Sequence, residues 1–132
     1  MGNAARRTLF IVDEAYLEFA DNYEQRSLVD LVRAGENVIV FRTFAKAYGL
    51  AGFDIGYGLL PLEIAQALDA KGLNNPHLFN RLAISAAVAS LKDHDYVKRV
   101  VWQVAKEREK WHGFLQERSI RATPSKGNFV FF

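Results

Sequence analysis

The chain has 132 residues, half of them hydrophobic, which is enough to bury one real core and short enough to favour a single domain. Seventeen Lys and Arg against 15 Asp and Glu leave a formal charge of +2, and the basic residues are dispersed, which argues against a nucleic-acid-binding surface. With no cysteine there is neither a disulfide framework nor a thiolate metal site, and His77, His94 and His112 lack a ligand-like spacing, so no metal is expected.

The residues from Met1 to Arg7 precede a short apolar run, Thr8 to Val12, which is too brief for a signal-peptide core or a membrane span. No membrane role is expected, and the lack of cysteine fits a reducing, cytoplasmic setting. The run itself reads as a buried, parallel strand with Asp13 at its C-terminal end. Leu28 to Ala34 has helical spacing, with Ser27 as a cap and Gly35 as a terminator. Asn37 to Phe41 is a second buried strand, so the chain opens on a strand, helix, strand unit of the kind that builds parallel sheets.

Tyr48 to Gly58 carries Gly49, Gly52, Gly56 and Gly58, a backbone-dominated stretch that leads into a third short strand, Ile55 to Leu60. Pro61 opens a helix running to about Lys71 and closed by Gly72. The stretch from Leu78 to Leu91 is nearly all small and apolar and predicts a helix buried on most sides. From about Asp95 to Arg118 the pattern is amphipathic, a surface helix of about 36 Å at 1.5 Å per residue, long enough to bridge two lobes. Ile120 to Thr123 and Asn128 to Phe132 read as two strands around a Pro124-Ser125-Lys126-Gly127 turn.

Chemistry concentrates in two places. Asp13 and Tyr16 follow the first strand, and Thr43 and Lys46 follow the second, so parallel pairing brings a carboxylate, a phenol, a hydroxyl and an amine to neighbouring strand ends. Each has an ordinary explanation: a solvated lysine, a turn aspartate, a half-buried tyrosine, a β-branched residue at a strand end. Together they are also the parts that hold a pyridine-aldehyde cofactor. Such a site needs an amine to attack the aldehyde, a carboxylate to keep the ring nitrogen protonated, a phenol for the ring oxygen and a hydroxyl for a phosphate.

Val12-Asp13-Glu14-Ala15-Tyr16-Leu17-Glu18-Phe19, Arg42-Thr43-Phe44-Ala45-Lys46-Ala47-Tyr48-Gly49-Leu50-Ala51-Gly52 and Ile55-Gly56-Tyr57-Gly58 closely resemble the histidinol-phosphate aminotransferases, a group of fold-type I pyridoxal phosphate enzymes. The resemblance runs on to Ser125-Lys126-Gly127-Asn128-Phe129-Val130, similar to the family's entry into its small domain. It implies an α/β fold: a partial doubly wound sheet of the aminotransferase large domain over residues 1–93, then a connecting helix and the start of the small domain over 94–132.

It further implies that Lys46 is the catalytic lysine that binds pyridoxal phosphate and then serves as general acid and base. Asp13 meets the ring nitrogen, Tyr16 the phenolic oxygen and Thr43 the phosphate, while Asn128 matches a position on the substrate side. The reaction implied is amino-group transfer between an amino acid and a 2-oxo acid, by a truncated, central portion of such an enzyme.

Where the family pattern Gly-Leu-Ala-Gly-x-Arg-x-Gly-Tyr has its arginine, this sequence has Asp54, a negative charge in place of a positive one. The segments that supply the phosphate-cradling turn and the substrate-carboxylate arginine of such enzymes are absent from the sequence. A second reading follows from these departures: a non-catalytic α/β module in which Lys46 and Asp13 are remnants. On either reading a partial sheet leaves apolar surface uncovered, and a homo-oligomer, most simply a dimer, is expected.

Overall fold

In a computed structural model, residues 8–73 and 75–132 are described; the residues before Thr8, on which the signal-segment expectation bears, lie outside that range. A three-stranded sheet is built from β1 (Phe10–Asp13), β2 (Val38–Thr43) and β3 (Gly56–Leu59), in the order β1-β2-β3. β1 and β2 run parallel, with Phe10 opposite Val38 and Asp13 opposite Phe41. β3 returns antiparallel, with Val40 opposite Leu59 and Thr43 opposite Gly56. The parallel pair fixes the placement of the chemistry, because both strands then end on the same side of the sheet.

The link between β1 and β2 is more broken than the sequence pattern suggests. A 3-10 turn at Leu17–Phe19 is followed by α1 (Tyr23–Arg26) and α2 (Val29–Arg33). The expected cap is shared: the Ser27 hydroxyl accepts from the Val29 amide at 3.2 Å, while the Leu28 amide donates to Glu14 Oε1 at 2.7 Å. Leu28, Val29, Leu31 and Val32 then lie against Val38 and Val40, the two largest fully buried side chains, together with Phe10, Val12 and Leu59. Among the described residues this is the apolar cluster around the two strands.

After β3 come α3 (Leu62–Ala70), a 3-10 turn at Pro76–Leu78, α4 (Arg81–Lys92) and α5 (His94–Glu117). Both long helices begin on side-chain caps: Asn80 accepts from the Leu82 amide and Asp93 from the Tyr96 amide, each at 2.9 Å. The expectation that the small, apolar helix is buried on most sides is not met. Only Ala83 and Ala87 of α4 are buried, whereas Leu82 is 71% exposed and Val88 49%. Ala83 and Ala87 are one turn apart and make a narrow seam that packs closely, and the larger side chains on the other faces have no layer over them among the described residues.

The two C-terminal strands reduce to a single bridge, Thr123 with Phe131, closed by the Thr123 amide on the Phe131 carbonyl at 2.9 Å. Arg108 of α5 donates to the carbonyls of Lys126 and Gly127, both at 2.8 Å, and so ties the turn to the helix. Lys126 also pairs with Asp21 at 2.5 Å, which joins the end of the chain to the segment after β1.

Two glycines around the second motif are required by geometry. A Cβ on Gly56 would sit 2.6 Å from the Arg42 carbonyl oxygen across the β2–β3 pair. Gly49 has φ +73°, and a Cβ there would meet the Tyr96 hydroxyl of α5. Gly49→Ala is therefore expected to destabilise the fold by about 1–2 kcal/mol from the left-handed backbone alone, with a further loss from displacing Tyr96. Chemical denaturation of Gly49→Ala in the wild-type and Tyr96→Phe backgrounds checks this, and the second background should recover only the Tyr96 part.

Candidate functional site: the cleft at the strand ends

Asp13, Tyr16, Thr43 and Lys46 line one open cleft of about 600 Å³, together with Ala15, Phe41, Ala45, Asp54 and Gly56 among others. The backbone explains the convergence. Asp13 is the last residue of β1 and Thr43 the last of β2, and each starts a tight turn with its own side chain. Asp13 Oδ1 accepts from the Ala15 amide at 2.9 Å, and Thr43 Oγ1 accepts from the Ala45 amide at 3.0 Å. These turns carry Tyr16 and Lys46 back over the sheet edge, with Lys46 Nζ 5.3 Å from the centre of the Tyr16 ring.

The segment that carries Lys46 is floored by buried aromatic packing. Phe44 and Ala47 are buried, and Phe44 packs against Tyr48 and Tyr57 with ring centres 5.2 and 5.5 Å away. Burial, and after it the Glu18 carboxylate, pushes the Tyr48 phenol up to about 12, so it stays neutral at any ordinary pH. Lys46 is half-buried between this floor and the open side.

Asn128 is not in this cleft. It lines a separate, largely apolar hollow of about 340 Å³ between α5 and the end of the chain, with Val104, Trp111 and Phe132. Its neighbour Phe129 nevertheless reaches the cleft wall, edge-on to Tyr16 with ring centres 5.3 Å apart. The C-terminal segment thus touches the site through an aromatic that the sequence pattern did not single out.

The reverse side of the same strand ends holds an ion pair that the sequence also left unread. Glu14 is buried, and its Oε2 accepts from Arg42 Nε and Nη2 at 3.1 and 2.9 Å and from the Ser27 hydroxyl at 2.9 Å. The side chains of Arg42 and Glu14 are 15% and 5% exposed. Removing one partner of such a pair costs about 3–5 kcal/mol, because the other charge is left buried alone. The available signal was alternation: Glu14 and Arg42 each sit one residue from a chemical group, so a period of two sends them to the opposite face.

The residues present can be tested against a pyridine ring carrying an aldehyde and a phosphate. Asp13 uses one oxygen in its turn and its second has no hydrogen bond among the described residues, which suits a ring N–H. The Thr43 hydroxyl accepts from Ala45, so its proton is free for an anion. The ring end fits. Asp54, however, lines the same cleft, in a left-handed conformation at φ 47° that aspartate tolerates. Its carboxylate repels a phosphate.

The sequence profile described as Aminotransferase class I and II matches residues 3–132. The chain belongs to that family. Among its relatives, the histidinol-phosphate aminotransferase of Limosilactobacillus fermentum is 40% identical over 125 residues, covering 95% of this chain and 34% of that protein. Histidinol-phosphate aminotransferase 1 of Mesorhizobium japonicum is 41% identical over 128 residues, again 95% of this chain and 34% of the relative.

The solved histidinol-phosphate aminotransferase of Sinorhizobium meliloti, in complex with pyridoxal-5'-phosphate, superposes with a TM-score of 0.79 at 40% identity, covering 93% of this chain and 33% of its own. That of Clostridium acetobutylicum gives 0.84 at 29% identity, with 97% and 38% covered. The architecture is therefore the partial sheet of a fold-type I aminotransferase, as the motifs imply, and the chain spans about a third of the length of the relatives it matches.

Among the described residues, two buried side-chain oxygens have no hydrogen bond, Ser125 Oγ and one oxygen of Glu18. Glu18, in the 3-10 turn after Tyr16, is 3% exposed and its Oε1 lacks a hydrogen bond. Burial raises its pKa above the ordinary 4.5, its own backbone hydrogen bond and Arg42 oppose this, and Glu14 adds to it. A raised folded-state value means the folded chain holds the proton longer than the unfolded one, so stability falls as pH climbs from the ordinary carboxylate value through the raised one. Glu18→Gln is expected to raise the melting temperature at about pH 7 and to lose that advantage toward about pH 4. Paired melting curves of the two proteins across that range check it.

Proposed function

We propose that the cleft is the lysine-bearing part of a pyridoxal phosphate-dependent transamination site, working on an amino acid and a 2-oxo acid as histidinol-phosphate aminotransferase-like enzymes do. The observation that carries the reading is the gathering of Asp13, Tyr16, Thr43 and Lys46 on one side of a parallel strand pair. When bound, pyridoxal phosphate supplies an electron sink that makes a substrate Cα–H acidic. Lys46 Nζ would hold the cofactor covalently and would move the substrate Cα proton, as base and then as acid.

Asp13, through its free oxygen, accepts from the ring N–H and keeps it protonated. The Tyr16 hydroxyl donates to the ring's phenolic oxygen, and the Thr43 hydroxyl donates to the phosphate. Phe44 and its aromatic neighbours pack the turn that carries Lys46. Asn128 serves the substrate side, at the junction where residues 94–132 contribute the connecting helix and the start of a small domain to the large-domain portion, 1–93. Cytoplasmic residence is part of this reading; no helix among the described residues is long and apolar enough to cross a membrane.

A second reading, a non-catalytic oligomerising module, rests on Asp54. Loss of a charge-assisted phosphate contact costs on the order of 1.5–3 kcal/mol, and Asp54 adds repulsion to that loss. The uncovered Leu82, Val88 and Leu91 of α4 support association into a homodimer on both readings. Light scattering coupled to size-exclusion chromatography should give a mass about twice that of one chain, and a monomer mass would remove this element of the proposal.

The deciding experiment is a visible-absorption titration with pyridoxal phosphate, followed by borohydride reduction and peptide mapping. Saturable binding with the label on Lys46 is expected, lost in Lys46→Ala and strengthened roughly tenfold or more in Asp54→Arg. Labelling spread over many lysines and indifferent to both substitutions would overturn the transamination reading and leave the module.

A further inference from the structure

From the reverse face of the strand ends, we infer that the buried Glu14–Arg42–Ser27 cluster is a positioning device for the cleft, holding Asp13 at a fixed offset from Thr43 and Lys46. The inference deepens the proposed function and rests on it for its chemical meaning. Glu14 follows Asp13 directly and Arg42 precedes Thr43 directly, so movement of one strand end against the other disturbs this pair. Three further contacts make the cluster rigid. The Glu14 amide donates to the Phe41 carbonyl at 2.8 Å, which extends the β1–β2 ladder one residue beyond Asp13. The Leu28 amide and the Ser27 hydroxyl fasten the two Glu14 oxygens, at 2.7 and 2.9 Å. Arg42 Nη2 donates to Ser27 Oγ as well, at 2.9 Å, so the guanidinium spans both partners.

The geometry distinguishes this from a pair that merely stabilises. Neither strand end is gripped from the cleft side: Asp13 is exposed, Phe41 is 44% exposed, and the turns at Asp13 and Thr43 are each closed by one side-chain hydrogen bond. Arg42 takes both Nε and Nη2 to the same carboxylate oxygen, an arrangement that fixes direction as well as distance. Burial is the largest single influence on Arg42 and opposes its charge, but the hydrogen-bonding and charge contributions of Glu14 and Tyr57 together outweigh it, so the guanidinium stays charged and engaged. Lysine carries its three donors on one rotatable ammonium and lacks the planar fork, so it can pair with Glu14 without fixing direction in the same way.

The test uses the cofactor-free chain and the double variant Glu14→Gln/Arg42→Gln, in which neither member of the pair is left as a buried charge without the other. Amide hydrogen exchange read by NMR should show the Ala15 and Ala45 amides exchanging at least about tenfold faster than in the wild type, with the amides of α5 unchanged. Arg42→Lys, which keeps the charge but not the fork, should fall between. Unchanged protection at Ala15 and Ala45 would overturn the inference. So would an equal loss at every amide, because the cluster would then hold the fold and not the site.

A parallel measurement separates this from the proposed function. If the wild-type chain labels Lys46 selectively with pyridoxal phosphate, the double variant should spread the label to other lysines. If the wild type itself shows no selectivity, the transamination reading fails, and the exchange rates still decide whether the cluster positions the strand ends.

Discussion

Everything chemical in this chain depends on the β1–β2 parallel pair ending in register. Asp13 faces Phe41 across that pair, and one residue further on each strand the chain divides its labour between two faces. On the open face lie the groups suited to a cofactor. On the closed face Glu14 and Arg42 meet, with Ser27 and the Leu28 amide completing their hydrogen bonds. A buried ion pair is weak evidence for stability, since its desolvation offsets most of its attraction. As a means of fixing one strand end against another it has few equals, because removing either partner is costly and shifting both together is resisted by the ladder.

The same economy of layers explains what the chain leaves uncovered. One apolar layer is closed, by α2 against Val38 and Val40, and Leu115 of α5 is buried beyond it. Ile11 on the open face of β1, the large side chains of α4, and Trp102, Trp111 and Phe132 stay exposed. The chain spans about a third of the length of the relatives it matches, and these apolar surfaces face outward among the described residues.

Two carboxylates run against the direction of the rest. Asp54 faces the cleft beside the hydroxyl and amine that suit an anion, and its left-handed backbone shows that aspartate is comfortable there. Glu18 lies buried behind Tyr16, competing with Glu14 for the field of one arginine. They act on different quantities. Asp54 bears on which ligand the cleft accepts, and Glu18 on how the turn carrying Tyr16 responds to pH.

The sequence by itself determined the strands that flank the two motifs, the long amphipathic helix, the glycine-rich return and the set of residues suited to the cofactor, because each depends on local periodicity and turn chemistry. It also carried the family resemblance, which the profile and the solved relatives bear out. Tertiary structure alone decided that Asn128 lies in a different hollow while Phe129 touches Tyr16. It decided that Arg108 takes the carbonyls of a would-be hairpin, and that an alanine-rich helix is buried only along one seam. Each of these turns on a partner far away in sequence, and a pattern of residue types records what a side chain is able to pack against or bond to, not which distant group arrives to do so.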